Sequence, residues 1–360
     1  MAKPKFGLPL WSILFPFLSV ALYFAGASDS VLLTILQSLS LIGAVISAVH
    51  HAEVVAHKVG EPYGTLVLAI AITIIEVALI VSLMLAGGVE TSAMARDTVF
   101  AAVMIILTGI IGLCLLIGGY KFHEQVFGKQ GVSAALVTLI AISVLTLILP
   151  NYTTSVTGPT YSNSQLIFVA IVSLILYMTF VIVQAGRHRD YFLPEKAHQT
   201  EDEHAEPPSI VITIASLGLL IICLAAVVFL AKLLAPVIET TVVSYGAPKS
   251  LVGVIVALVI LLPEGLAAVR AARKNRLQTS LNLALGSALA SIGLTIPAVA
   301  AVSIFSGFTV TLGIDTKSTL LLFLSLITII LSFGTGRTTV LQGVVLLVIF
   351  ATYLFTSIVP

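Results

Sequence analysis

The chain has 360 residues, of which 59% are hydrophobic and only 9% charged, and its formal net charge is +1. Its apolar runs recur at roughly twenty residues, long enough to cross a bilayer as helices, so the composition excludes a water-soluble domain and reads as an all-α polytopic membrane protein whose first partner is the lipid bilayer. The near-neutral charge points to no nucleic acid, and the two cysteines, Cys114 and Cys223, lie inside apolar runs where they read as small core residues rather than a disulfide framework.

The first apolar run, Leu8 to Phe24, follows Lys3 and Lys5 and ends in "AGA". It exceeds the roughly 7–15 residues of a signal-peptide core, so an uncleaved transmembrane helix is expected. Taken in order, apolar runs between polar breaks predict spans near 8–26, 31–50, 64–87, 97–119, 132–150, 164–186, 209–233, 250–272, 279–305, 318–334 and 338–357. That is eleven transmembrane helices.

The second span runs into the amphipathic stretch "HHAEVVAH", in which His50, Glu53 and His57 share a helix face. Histidine titrates near physiological pH, so this face reads either as a cytoplasmic mouth that conducts or senses protons, or as a solvated interfacial surface. An intramembrane metalloenzyme needs Glu directly after the first of two histidines four residues apart, and neither His50 nor His51 meets both conditions.

The third span carries Glu76 within "AITIIEVALIV". An ionised carboxylate at bilayer depth is costly, and such residues mark paths for ions or protons. Thr73, one turn earlier, could add an oxygen. After the sixth span comes the polar stretch 187–208, with Glu201, Asp202, Glu203 and Glu206. It reads as a solvated linker or, because hard cations prefer clustered carboxylates, as a regulatory cation sensor.

The second half then repeats the first. "GEPYGTLVLAIAITIIEVALIVS" from Gly60 and "GAPKSLVGVIVALVILLPEGLAAV" from Gly246 both read Gly-x-Pro, apolar run, glutamate. As the third and eighth spans, with four between them, they run antiparallel, the pattern of an inverted repeat with its binding site at the midplane, and Glu264 becomes the partner of Glu76. Pro263 lacks an amide proton, so a broken helix is expected here, with the carbonyl of Val259 freed as a ligand. In "NLALGSALAS", Ser287 and Ser291 share a face and could complete the oxygen set, or could simply permit close helix packing.

These residues resemble the cation/calcium exchanger superfamily and, within it, the bacterial ChaA-type calcium/sodium:proton antiporters. The most distinctive pieces are "HAEVVAHKVGEPYGTLVLAIAITIIEVALI", "LLPEGLAAVRAARKNRLQTSLNLALGSALASIGLTIP" and "FGTGRTTVLQGVVLLVIFATYLF". The resemblance implies one extra helix followed by two inverted five-helix repeats separated by an acidic cytoplasmic segment. On this chain that is 1–30 for the extra helix, 31–186 for the first repeat, 187–208 for the acidic hinge and 209–360 for the second repeat. It also implies that one acidic residue of each repeat, here Glu76 and Glu264, binds the cation. Many relatives place Gly-Asn before the glutamate, whereas this chain has Ile74-Ile75 and Leu262-Pro263. The first-repeat counterpart of "GSALAS", around "AAVMIILTG", lacks the serines.

The expected function is export of calcium, or of sodium or potassium, in exchange for protons, with no cofactor and no enzymatic residues. A monovalent cation:proton antiporter is the alternative, and a cation channel is the rival class, distinguished by its inability to move ions uphill. Whether the chain forms a homo-oligomer is left open by its sequence. With the N-terminus in the cytoplasm, 13 of the 17 basic residues fall on the inner side and 4 outside. Cytoplasmic loops carry the excess of Lys and Arg, so the expected setting is the inner (plasma) membrane with an outward C-terminus. Alkaline phosphatase fused to the C-terminus is therefore expected to be active, and a fluorescent C-terminal fusion in the cytoplasm would reject this topology.

Overall fold

A computed structural model describes residues 8–26, 30–60, 63–87, 92–193, 208–246, 248 and 250–359. Counting short π segments with the helices they interrupt, the described residues form eleven helices. They are α1 Leu10–Phe24, α2 Val31–Val59, α3 Tyr63–Gly87, α4 Met94–Phe122, α5 Lys129–Tyr152, α6 Asn163–Arg187, α7 Ile210–Ser244, α8 Ser250–Arg273, α9 Leu277–Ser306, α10 Thr316–Phe333 and α11 Val340–Ile358. Among the described residues nine are long and apolar enough to cross a membrane. The others are α1, whose 15 residues rise about 22 Å, and α3, for which only the stretch Ile70–Val81 counts.

Each expected span matches one helix to within about three residues, except at two ends. The helix of the second span continues to Val59 and that of the seventh to Ser244, well beyond the apolar limits at 50 and 233. Hydropathy measures the hydrocarbon layer, whereas a helix stops only where its backbone turns. Both overhangs end at a glycine with positive φ, Gly60 at 78° and Gly246 at 72°, a conformation that costs a side chain dearly. A proline follows two residues later in each case. Other helix starts are set by side-chain caps: Ser30, Ser209 and Asp315 accept from backbone amides, and Ser162 with Gln165 forms a reciprocal capping box.

The chain forms two compact units. The first, from residues 1–91 and 203–245, contains α1, α2, α3 and α7. In it Pro16 sits inside α1 and has no N–H for the carbonyl of Ser12. That carbonyl instead accepts from Ser47 Oγ at 2.6 Å and His51 Nε2 at 2.9 Å, both on α2. Ser19 and Ser40 are 2.6 Å apart through their hydroxyls, and Gln37 donates to the carbonyls of Leu22 and Gly26, closing the far end of α1. From α7, Cys223 Sγ reaches Ser47 Oγ at 3.5 Å. Gly43 lies directly under the Phe15 ring, leaving no room for a Cβ.

The second unit, from residues 92–202 and 246–360, contains α4 to α6 and α8 to α11. A π segment, Ile105–Ile110, interrupts α4, and another, Val144–Ile148, interrupts α5. Each widened turn disturbs the backbone ladder, and each carries a threonine on the carbonyl four residues back: Thr108 Oγ1 on Met104 at 2.5 Å and Thr146 Oγ1 on Ile142 at 2.8 Å. The Tyr161 hydroxyl, in the loop before α6, donates to Leu145 in the second segment at 2.6 Å, and burial pushes this phenol up to about 12. A two-stranded antiparallel pair, β1 Gln125–Val126 and β2 Arg337–Thr338, ties the loop after α4 to the loop before α11. Asn282 of α9 donates to the carbonyl of Phe192 at 2.6 Å, anchoring the first residues of the acidic hinge.

Filling the space at Gly43 tests the α1–α2 contact. Gly43→Leu is expected to cost about 1–3 kcal/mol by overpacking and to lower the thermal unfolding midpoint in detergent. Gly218→Ala on α7, where nothing lies within 4 Å, is expected to leave that midpoint unchanged.

Candidate cation and proton site

One of the two candidate carboxyls is on α3. Glu76 is 3% exposed, between the fully enclosed Ile75 and Ile80, and Thr73, one turn earlier, is 7% exposed. A carboxyl so enclosed by aliphatic side chains retains its charge only with a cation or donors around it, and otherwise holds a proton.

The other candidate carboxyl is in the second unit. Glu264 lies on α8 with both carboxyl oxygens out of solvent contact. The expected break at Pro263 does not occur, because α8 runs unbroken from Ser250 to Arg273. Pro16, Pro236 and Pro297 are likewise held inside continuous helices. In lipid no water competes for the remaining backbone bonds, so losing one donor does not unwind the helix. Val259, half-buried, still lacks the amide that would face its carbonyl. Ser291 is buried and Ser287 half-buried on α9, which packs against α8. Glu264, Val259, Ser287 and Ser291 thus lie on two adjoining helices of one unit, and Thr73 and Glu76 on one helix of the other.

The proposed cytoplasmic group separates. His50 is half-buried, whereas Glu53 and His57 are exposed. The enclosed histidine is its neighbour His51, which has no exposed surface. Periodicity within α2 gave no sign of this, since α1 is what covers the residue. The hinge residues Glu201, Asp202, Glu203 and Glu206 lie outside the described residues.

Two further groups escaped the sequence reading. Thr108, inside "AAVMIILTG", is fully buried in the π segment of α4, and the next turn presses on α8: a Cβ on Gly265 would meet Ile110 at 3.2 Å. The second group is Asp97 at the start of α4. It accepts from Arg96 Nε at 2.8 Å, Arg96 Nη1 donates to the Gly313 carbonyl at 3.0 Å, and a Cβ on Gly253 of α8 would lie 3.0 Å from that of Asp97. The signal for Thr108 was present as the hydroxyl in the segment paired with "GSALAS", but a π turn has no sequence period of its own.

Residues 29–186 and 215–359 match the sodium/calcium exchanger protein family. The chain belongs to that family. It is 45% identical to the "putative ionic transporter y4hA" of Sinorhizobium fredii, over 98% of this chain and 97% of that protein. It is 34% identical to the "sodium-potassium/proton antiporter ChaA" of Escherichia coli, over 96% of this chain and 95% of that protein. Among solved structures, native YfkE superposes with a TM-score of 0.75 at 17% identity, covering 98% of this chain and 99% of that one. The H+/Ca2+ exchanger CAX gives 0.71 at 16% identity, covering 96% and 88%. At those identities the structural likeness speaks for the exchanger fold alone.

Within this fold Thr108 is expected to matter through its hydroxyl. Thr108→Val leaves the Met104 carbonyl without that donor and should cost about 1–3 kcal/mol in thermal unfolding, whereas Thr108→Ser, which retains the donor, should recover most of it.

Proposed function

We propose that this exchanger-family chain is a cation:proton antiporter of the inner membrane, in which Glu76 and Glu264 bind a cation or protons in alternation. The observation that carries the reading is one carboxyl in the middle of each Gly-x-Pro-led helix, shielded from solvent and supplied by the two halves of the sequence. The family match, broken into 29–186 and 215–359, supports the division into two repeats on either side of the acidic hinge.

The exchange follows from charge. Two ionised carboxylates balance one divalent ion, or one monovalent ion with one proton, and two bound protons also leave the pair neutral. Loaded states are therefore cheap at bilayer depth and the empty, doubly ionised state is not, which discourages uncoupled leak. Calcium needs six to eight oxygens, roughly, so Thr73, Ser287, Ser291, the Val259 carbonyl and water would complete its shell. Alternating access then lets protons enter from outside and the cation leave the cytoplasm.

Calcium is the cargo suggested by two carboxylates of matching charge. A monovalent cargo is favoured by a different observation: the Escherichia coli relative, alike over nearly its whole length, is named for sodium, potassium and protons. The absence of asparagine before either glutamate removes a neutral oxygen that a divalent ion would use. The hinge acids are proposed to modulate the exchange rather than to carry ions.

Purified protein in vesicles with an imposed pH gradient tests both readings, comparing calcium, sodium and potassium. Glu76→Gln and Glu264→Gln are each expected to abolish proton-driven accumulation, a loss of at least about a hundredfold, with folding preserved. If both single variants accumulate the cation at the wild-type rate, the mechanism is wrong.

A further inference from the structure

The first unit contains a pair of enclosed imidazoles that the exchange cycle above does not use. Because a carbonyl only accepts, the 2.9 Å contact with Ser12 fixes the proton of His51 on Nε2, so in the neutral ring Nδ1 carries the bare lone pair. That Nδ1 is buried and has no hydrogen-bond partner among the described residues, and the same is true of His50 Nε2. The two ring centroids are 5.6 Å apart, and the ring of the half-buried His50 lies 5.2 Å from that of Trp11, centroid to centroid. Trp11 is 40% exposed, so the three rings run from the protein's surface to its interior.

A structural pin does not account for this arrangement. The carbonyl orphaned by Pro16 already receives Ser47 Oγ at 2.6 Å, so the bond from His51 is a second one. What it adds is a tautomer. Depth fits a path as well. His51 precedes the end of α2 by eight residues, about 12 Å, and Glu76 follows the start of α3 by thirteen, about 20 Å, with only Gly60, Glu61 and Pro62 between those ends. His51 therefore lies between that membrane face and the level of Glu76, on a helix packed against α3.

We infer that His50 and His51 relay protons between the cytoplasmic face and the carboxyl of Glu76, His51 accepting and returning the proton at Nδ1 while its Nε2–H stays on Ser12. This rests on the antiport proposed above. Imidazole N–H bonds and O–H bonds of water and the Glu76 carboxyl form and break in turn, and the imidazolium is a transient carrier. The titratable or charged groups on the packed elements are Tyr23 on α1, Glu53, His57 and Lys58 on α2, Tyr63 and Glu76 on α3, and Cys223, Lys232 and Glu239 on α7. Of the α7 groups, Cys223 is the one tied to the Ser12 junction, through Ser47.

His51→Gln separates relay from pin, since the amide can still donate to Ser12 but takes up no proton. In vesicles under a pH gradient this variant is expected to keep the wild-type cation KM and thermal midpoint, to exchange about tenfold or more slowly, and to lose the pH dependence of the rate between about pH 6 and 8. His50→Gln is expected to give the same loss of pH dependence with a smaller drop in rate. A wild-type rate and pH profile in His51→Gln overturns the relay and leaves antiport standing. Should His51→Gln fail to fold, His50→Gln decides, and an unchanged profile there overturns the relay. No proton-coupled flux in the wild-type protein overturns the antiporter reading itself, and the relay with it.

Discussion

Lipid offers a backbone carbonyl nothing to bond to, and much of the local structure answers that constraint. Wherever a proline or a π turn disturbs the helical ladder, the question is which group takes the freed oxygen. Ser12 receives two donors from α2, while Met104 and Ile142 receive the threonine hydroxyls of their own π turns. Leu145 receives the phenol of Tyr161. These bonds fix particular pairs of elements, since a hydroxyl that serves one carbonyl sets the rotation of its helix. Pro263, Pro236 and Pro297 free carbonyls too, and what distinguishes Val259 among them is the glutamate that follows five residues later.

The same economy of turns sets the depth of the carboxyls. In each repeat a long helix overruns the apolar layer, stops at a left-handed glycine, and is followed by a proline-led helix that re-enters the layer. The glutamate falls thirteen or fourteen residues into that second helix, about 20 Å along it, which is bilayer depth. Glycine permits the reversal, proline discourages the first helix from continuing, and the rise per residue does the rest. The depth of the two carboxyls is thus a consequence of where the backbone turns.

That spacing is why so much could be read beforehand. Eleven apolar runs became eleven helices, and the two glutamates stood out because a charge inside an apolar run has a steep cost. The ends of α2 and α7 were misplaced because polar residues end an apolar run without ending a helix. The break at Pro263 was expected from rules learned in water, where solvent competes for the backbone. Thr108 stayed hidden because its importance comes from a π turn, and Asp97 because the pairing with Arg96 and the close approach of Gly253 are tertiary. His51 went unnoticed for the same reason: in the sequence it is one of three histidines in eight residues, and only the cover provided by α1 singles it out.

The extra helix then has a reason to be there. It lies outside both repeats, yet it packs in the unit that holds Glu76 and both overrunning helices. Its Pro16 exposes the Ser12 carbonyl, and that carbonyl selects the tautomer of the one histidine on α2 that is fully enclosed. Without α1 that imidazole would lack the Ser12 carbonyl and be free to take either tautomer. The helix that closes over it removes this freedom, and so a residue the repeat alone could not have oriented becomes a proton acceptor of fixed direction beside the helix that carries the carboxyl.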